Sequence, residues 1–187
     1  MAWKKRKDRL EVLAEGLVKA GALQFGTFTL PDGKDSPYYV NLKGLPSYPG
    51  VYRLVVDAVS DLVSKKVPKA DALFAAPTSG LLLAAPVALA LKKPMVYEKA
   101  KKQANERAVE GEVRPGWKVV VIDDLATSGK SLLSTAEIIE DEGGEVSSAV
   151  VLIDQPRGRQ FRILISRGPP CGQRRYDKNG RLSVVIP

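Results

Sequence analysis

The sequence predicts an α/β fold, in which helices flank a central, mainly parallel β-sheet and a small β-hairpin precedes it. Three observations support this fold class. Residues 119–122 are four consecutive β-branched side chains, as expected for a strand buried on both faces of a parallel sheet. A strand, a loop of small residues and an apolar helix follow one another twice, in residues 72–91 and 119–140. The 187 residues, of which 44% are hydrophobic, suit one globular domain with a sizeable core.

The first elements are a helix and a hairpin. Residues 8–20 carry Leu and Val at helical spacing and lead to Gly21, a residue type common at helix ends. Residues 23–30 alternate as a strand does, a turn-rich stretch follows, and residues 38–42 form a second strand. We therefore expect a small hairpin, or hood, at about residues 22–45. The aromatic residues of its first strand suit either core packing or contact with a ligand.

The remaining elements build the sheet and its helices. Apolar residues at helical spacing predict helices, and short apolar runs bounded by Gly or Pro predict buried strands. The expected order is a helix at 49–66, a strand at 72–76, a helix at 81–91, strands at 94–97 and 119–122, a helix at 132–140 and a strand at 145–153.

The composition excludes several classes of protein and of chemistry. No apolar run approaches the roughly 18 residues needed to span a membrane, and the basic N-terminus lacks a signal-type apolar core. Cys171 is the only cysteine, which rules out an internal disulfide and predicts a cytoplasmic location. Histidine is absent, so any catalysis would depend on Lys, Asp, Glu or electrostatics.

Two carboxylates stand at the end of the predicted strand 119–122. Asp123 and Asp124 are acceptors only, so they suit a cation or a ligand that donates hydrogen bonds, such as the vicinal hydroxyls of a ribose. A loop of small residues at a helix N-terminus follows, and it suits a phosphate dianion. A ribose 5-phosphate would satisfy both halves of the motif. The loop consists of Thr127, Ser128, Gly129, Lys130 and Ser131.

Two other interpretations of this motif are open. Gly129, Lys130 and Ser131 match the end of a nucleoside-triphosphate loop, but Asp124 stands where that loop needs a glycine. A plain strand-to-helix turn is the other interpretation. It leaves two adjacent carboxylates at the end of a buried strand unexplained, although burying them unpaired is costly.

A second loop of small residues follows the predicted strand 72–76. Thr78, Ser79 and Gly80 would lie at the carboxyl edge of the sheet, where α/β proteins bind ligands. Their amides could hold the pyrophosphate arm of a ligand, although such loops are often small for packing reasons alone.

The chain resembles a known family in two blocks. Residues 119–131 resemble the phosphoribosyl-pyrophosphate (PRPP) signature of type I phosphoribosyltransferases. Residues 25–39, which read Phe-Gly-x-Phe-x-Leu and then x-x-Gly-x-x-Ser-Pro-Tyr-Tyr, resemble the N-terminal signature of orotate phosphoribosyltransferases. The resemblance implies a fold of the type I phosphoribosyltransferase kind. It also implies transfer of the 5-phosphoribosyl group from PRPP to orotate, with Mg²⁺ held mainly through PRPP rather than by a protein metal site.

The resemblance also assigns roles to residues and implies a homodimer whose lid is shared across subunits. Orotate would be bound by Phe28, Thr127 and Arg157. Catalysis would involve Lys99, Lys102, Asp123 and Asp124. The residues implied in PRPP binding are Lys99, Lys102, Thr78, Ser79, Gly80, Asp123, Asp124, Leu125, Ala126, Thr127, Ser128, Gly129, Lys130 and Ser131.

The lid corresponds to the polar residues 98–114, which have almost no apolar periodicity. They suit either a solvated loop or a mobile lid whose lysines stabilise negative charge on leaving pyrophosphate. In the resembling family this loop reads Arg-Lys-x-x-Lys-x-His-Gly. Lys99 and Lys102 match its two lysines.

Three positions depart from the family pattern. Glu98 stands where the lid has its arginine, and Ala-Asn at 104–105 replaces His-Gly. Lys101 or Arg107 could supply the missing cation. Arg157 is displaced by two positions from the arginine that follows Asp in the family.

The C-terminal residues 155–187 are atypical of the family, and the chain as a whole is basic. Its net charge is +8, and residues 154–187 contain eight Arg or Lys and two Asp. Two alternative functions therefore remain: a phosphoribosyltransferase for another base, or a PRPP-binding regulator or nucleic-acid binder with a degenerate lid. Residues 1–20 leave no room for a helix-turn-helix domain, and the tail has few aromatic residues for base stacking, which argues against nucleic acid.

Overall fold

The computed structural model describes residues 6–29, 33, 35–77, 79–99, 107–126, 129–154 and 162–167. The chain divides into two compact units, residues 1–55 and 56–187. The interpretation as one domain stays a prediction. Within the described ranges, no helix is long and apolar enough to cross a membrane.

The first unit contains the predicted helix and hairpin. Helix α1 (Arg6–Lys19) is followed by strands β1 (Leu23–Thr29) and β2 (Asp35–Val40), which pair antiparallel. The helix ends in a left-handed turn at Gly21, whose φ is 65°, and the amide of Ala22 bonds the carbonyl of Leu17 at 2.9 Å. A residue with a Cβ would be strained at Gly21, which explains why glycine marks this helix end.

The hairpin does not alternate as the sequence predicts. A bulge between Phe25 and Phe28 breaks the register of β1 and β2. The Phe25 side chain is 65% exposed, so it is not a core residue. Phe28 is half-buried and stacks on Tyr39, with 5.6 Å between the ring centroids. Core packing is therefore the wrong explanation for Phe25.

Helix α2 has the predicted bounds, Pro49–Lys66. Its buried side chains follow helical spacing and are valines: Val55, Val56, Val59 and Val63.

The second unit holds a six-stranded sheet in the order β5-β4-β3-β6-β7-β8. The four inner strands are parallel, and the two edge strands run antiparallel to their neighbours. This agrees with the predicted fold class. The strands are β3 (Ala72–Ala75), β4 (Met95–Glu98), β5 (Val109–Glu110), β6 (Lys118–Ala126), β7 (Glu145–Asp154) and β8 (Arg162–Arg167).

Two helices connect the parallel strands. Helix α3 (Ser79–Leu91) joins β3 to β4, and helix α4 (Lys130–Asp141) joins β6 to β7. The two connections lead in opposite directions from the centre of the sheet, and such crossovers are right-handed, so α3 and α4 cover opposite faces. The carboxyl ends of β3 and β6 therefore form a topological switch point. The core beneath it includes Phe74, Val96, Val119, Val121, Ile139 and Val151.

Several element boundaries differ from the sequence prediction. Strand β6 continues to Ala126 rather than ending at Ile122, because β7 pairs with it as far as Asp154. Helix α3 starts at Ser79 and helix α4 at Lys130, two residues earlier than predicted in each case. Strand β5 is not predicted because it has only two residues, and β8 lies in the C-terminal residues that are atypical of the family.

Candidate functional site

The site lies where the carboxyl ends of β3 and β6 meet. The amide of Ala76 donates a hydrogen bond to the carbonyl oxygen of Ile122 at 3.0 Å, one residue beyond the last paired residues, Ala75 and Ile122. Parallel strands at a switch point leave a crevice between the loops that follow them. Here those loops are the start of α3 and the segment that leads to α4.

Gly80 brings the first turn of α3 directly against β6. A Cβ at Gly80 would lie 2.6 Å from the carbonyl oxygen of Ile122 and 3.5 Å from the α-carbon of Asp123. Only glycine allows this approach without a shift of the backbone. Ser79 is half-buried beside it, and Thr78 lies outside the described residues.

Asp123 is a buried carboxyl within β6, with 7% of the residue exposed. The pKa of Asp123 is raised from 3.8 to about 7, mainly by burial and also by the negative charge of Asp124 and a hydrogen bond between the two carboxyl groups. The amide of Asp124 opposes this by donating a hydrogen bond to Asp123 Oδ1 at 2.8 Å. Asp124 itself is half-buried. The Asp123 carboxyl therefore keeps its proton up to about neutral pH.

The residues after the two aspartates lead to a helix N-terminus. Leu125 and Ala126 belong to β6, and Ala126 is buried, so only its backbone could touch a ligand. Gly129 caps α4 with a φ of 77°, and its carbonyl accepts the amide of Leu133 at 3.1 Å. Lys130 and Ser131 form the first helical turn rather than a loop, and the Ser131 side chain is exposed. Such a turn presents backbone N–H groups to an anion.

Besides Thr78, four predicted site residues lie outside the described ranges: Lys102, Thr127, Ser128 and Arg157. The departing residue Glu98 is half-buried on β4, opposite Val109 of β5.

Lys99 lies at the carboxyl edge of the sheet, one residue beyond β4. Its ammonium is 3.2 Å from Glu110 Oε1, and its amide bonds the carbonyl of Ala108 at 2.9 Å. Arg107 points elsewhere, since its Nε and Nη2 both donate to Glu142 Oε2, at 2.9 and 2.6 Å. Arg107 is therefore engaged in an ion pair with Glu142, and its role as a substitute for the arginine missing at Glu98 stays a prediction. No sequence pattern predicts either pairing.

Phe28 belongs to the first unit, where Tyr39 supports its ring. Among the residues that the structure describes, no group of three or more His, Cys, Asp or Glu side chains could hold a metal ion. The geometry thus offers two helix N-termini and a pair of carboxylates at the carboxyl edge of the sheet, and Lys99 lies on the same edge at the end of β4.

Comparisons with known proteins agree with this architecture. The phosphoribosyl transferase domain family matches residues 47–164, which is more than half of the chain. An orotate phosphoribosyltransferase of Methanopyrus kandleri is 41% identical over 153 residues, 80% of this chain and 80% of that protein. One from Cenarchaeum symbiosum is 38% identical over 151 residues, 79% of this chain and 76% of that protein.

A solved structure shows the same fold. The crystal structure of orotate phosphoribosyltransferase from Aeropyrum pernix superposes with a TM-score of 0.67 and 32% sequence identity, covering 79% of this chain and 82% of that chain. The chain therefore belongs to the phosphoribosyl transferase family.

Proposed function

We propose that this protein transfers the 5-phosphoribosyl group from PRPP to orotate, giving orotidine 5′-monophosphate and pyrophosphate. The observation that carries the proposal is the convergence of the Asp123 and Asp124 carboxylates with the N-termini of α3 and α4 at one switch point. A phosphorylated sugar with a second phosphate arm matches this arrangement. The relatives named orotate phosphoribosyltransferase support orotate as the acceptor.

The chemistry is a displacement at the anomeric carbon of the ribose. The bond from that carbon to a pyrophosphate oxygen breaks, and a ring nitrogen of orotate forms the new bond. Positive charge develops on the sugar in the transition state. Asp123 and Asp124 would orient the ribose hydroxyls and stabilise that charge, which explains how a chain without histidine can be an enzyme.

The two helix N-termini would hold the 5-phosphate and the pyrophosphate of PRPP. Residues 127–131 would bind the 5-phosphate at the start of α4, where backbone N–H groups and the helix dipole favour an anion. Thr78, Ser79 and Gly80 would bind the pyrophosphate at the start of α3. The approach of Gly80 to β6 supports this second role, because it brings the amides of α3 close to the aspartates.

Lys99 and Lys102 would neutralise the leaving pyrophosphate. The position of Lys99 at the carboxyl edge, with its ammonium held by Glu110, supports this role. Orotate would contact Phe28, Thr127 and Arg157. The stacking of Phe28 on Tyr39 supports a flat aromatic surface for a pyrimidine.

Mg²⁺ fits these residues as an ion carried by the substrate. Mg²⁺ usually keeps several waters and binds through one or two carboxylates together with substrate phosphates. Asp123 and Asp124 supply two hard oxygen donors of that kind. When bound, the ion would offset the negative charge of the pyrophosphate.

A homodimer in the cytoplasm completes the proposal. Helix α3 contains no charged residue, and Leu82, Ala85 and Leu89 form an exposed stripe along it. A helix that is apolar on every side is usually covered, and a second copy of the chain would cover this one. A dimer would also bring the lid residues of one subunit near the site of the other. The single cysteine supports a cytoplasmic location.

Pyrophosphate release from PRPP in the presence of Mg²⁺ tests the proposal directly. The assay compares orotate with no base, with uracil and with purine bases. Orotate-dependent release is the expected result. Release that depends on another base would assign a different acceptor, and PRPP binding without turnover for any base would indicate a regulator.

A further inference from the structure

Lys99 and Glu110 form an ion pair at the edge of the proposed pyrophosphate site. The distance from Lys99 Nζ to Glu110 Oε1 is 3.2 Å. The Lys99 side chain is only 21% exposed, whereas that of Glu110 is 52% exposed. Most of the lysine side chain is thus packed against protein, and its ammonium has a defined position rather than a free choice of rotamers.

The pairing follows from the register of β4 and β5. Tyr97 is directly opposite Glu110 in this antiparallel ribbon. Lys99 is two residues beyond Tyr97, so its side chain lies on the same face as Glu110 and at diagonal distance. The hydrogen bond from the Lys99 amide to the Ala108 carbonyl, at 2.9 Å, extends the ribbon by one step and fixes the backbone of Lys99.

Strand β5 is itself held firmly, although it has only two residues. Arg107 binds Glu142 at the end of α4 through two N–H groups, and its Nη1 donates to the carbonyl of Gly111 at 3.4 Å. On the other side of the strand, a Cβ at Gly111 would lie 2.9 Å from the carbonyl oxygen of Met95. Glu110 is therefore flanked by Arg107 and Gly111, and both of these residues make close contacts with other elements.

We propose that Glu110 is a positioning residue, which holds the Lys99 ammonium at the pyrophosphate position before PRPP arrives. This rests on the proposed function, which places Lys99 on the leaving pyrophosphate. Strand β4 is two strands away from β6, about 10 Å, which is within the span of a PRPP molecule at the carboxyl edge. An ammonium has three N–H donors, and the bond to Glu110 uses one of them. Lys99 can therefore bridge the carboxylate and a phosphate oxygen.

Positioning matters more here than in a site with a full set of cations. Glu98 stands at the neighbouring position that the sequence pattern assigns to an arginine, and Arg107 is occupied by Glu142. A lysine with a fixed ammonium loses less conformational freedom when it binds an anion than a mobile one does.

The test is a double-mutant cycle of Glu110→Gln and Lys99→Ala, measured by kinetics and by calorimetric titration of Mg²⁺ and PRPP. Glu110→Gln keeps the shape of the side chain but removes its charge. Because the pair is partly exposed, Glu110→Gln should lower PRPP affinity and kcat/KM for PRPP about threefold to fivefold. The KM for orotate should stay unchanged. In the Lys99→Ala background the same change should have no further effect. Glu112→Gln is the matched control, since Glu112 lies two residues further along the chain and pairs with Arg114 at 2.9 Å.

Three results would overturn the inference. An equal loss in both backgrounds would mean that Glu110 only holds the strand. An unchanged Glu110→Gln variant would mean that the pair is incidental. Tighter PRPP binding in that variant would mean that Glu110 competes with pyrophosphate.

The cycle also separates the inference from the proposed function. Coupled PRPP binding without orotate-dependent turnover would refute the function alone, whereas turnover without coupling would refute the inference alone. Failure of the wild-type protein to bind PRPP would refute both.

Discussion

Gly80 and Ile122 approach so closely that a Cβ on Gly80 would lie 2.6 Å from the Ile122 carbonyl oxygen. The same oxygen accepts the amide of Ala76, so it cannot move away without loosening the joint between β3 and β6. We therefore expect Gly80→Ala to lower the free energy of unfolding by about 2 kcal/mol. It should also weaken PRPP binding, because the start of α3 shifts away from Asp123. Urea denaturation and PRPP titration would measure the two effects.

Gly50 provides the control for that substitution. It is the second residue of α2, as Gly80 is of α3, but a Cβ at Gly50 meets nothing within 4 Å. Gly50→Ala should leave PRPP affinity unchanged and stabilise the protein by about 0.5 kcal/mol. If both variants lost similar amounts of stability and PRPP affinity, the contact between Gly80 and Ile122 would not be the cause.

Asp123→Asn should make the protein more stable, and more so at higher pH. In the folded protein the pKa of Asp123 is raised from 3.8 to about 7, mainly by burial. Between these pH values the folded chain binds a proton that the unfolded chain has released, so this carboxyl lowers stability as pH rises, with its full cost above pH 7. Asparagine removes that cost, which is a few kcal/mol at most.

Denaturation at pH 5 and pH 8 would check this prediction. The gain in stability for Asp123→Asn over the wild-type protein should be larger at pH 8, even though the variant loses turnover. Asp141→Asn, on the exposed end of α4, serves as the control for the removal of one carboxylate. A gain for Asp123→Asn that is equal at both pH values would contradict the prediction.

Asp124→Asn should cripple turnover while leaving the fold intact. Asp124 is half-buried beside Asp123, and its carboxylate is expected to stabilise positive charge on the ribose. Removing one such group typically costs about a hundredfold or more in kcat. Steady-state kinetics would measure the loss of turnover, and a circular dichroism melt would show whether the fold is intact. Near-normal activity would refute the assigned role.

Lys92→Gly should stabilise the end of α3. Lys92 has a φ of 53°, a left-handed conformation that is strained for any residue with a Cβ, and the amide of Lys93 bonds back to the carbonyl of Ala88 at 3.0 Å. Glycine at this position should raise the free energy of unfolding by about 1 kcal/mol. The midpoint of urea denaturation should rise with an unchanged slope. Lys92→Ala, which keeps a Cβ, should bring no comparable gain.

Leu89→Glu should dissociate the proposed homodimer. Leu89 is 82% exposed on α3, so a carboxylate there would not disturb the folded monomer. It would place a charge in an apolar interface, where burying it is costly. Sedimentation velocity should show a monomer for this variant and a dimer for Val18→Glu, a comparable change on α1. A Leu89→Glu protein that sediments as the wild type does would exclude this face as the interface.

Much of the fold could be predicted because burial imposes a local period on the sequence. The spacing of valines gave helix α2 its observed bounds, and the run at 119–122 marked a strand at the centre of the sheet. The order of strands, small-residue loops and helices placed Asp123, Asp124 and Gly80 at one edge. These patterns are local, so one sequence was enough to read them.

The tertiary structure decided what depends on partners that are distant in the chain. Strand β6 continues past Ile122 because β7 pairs with it to the end, and β5 forms because β4 pairs with it, although a run of two residues is too short to be recognised in the sequence. Arg107 and Glu142 are 35 residues apart, and no local sequence pattern near either residue predicts their ion pair. Only docking of the strands brings Glu110 to Lys99, and the sequence shows the charges but not which of them meet.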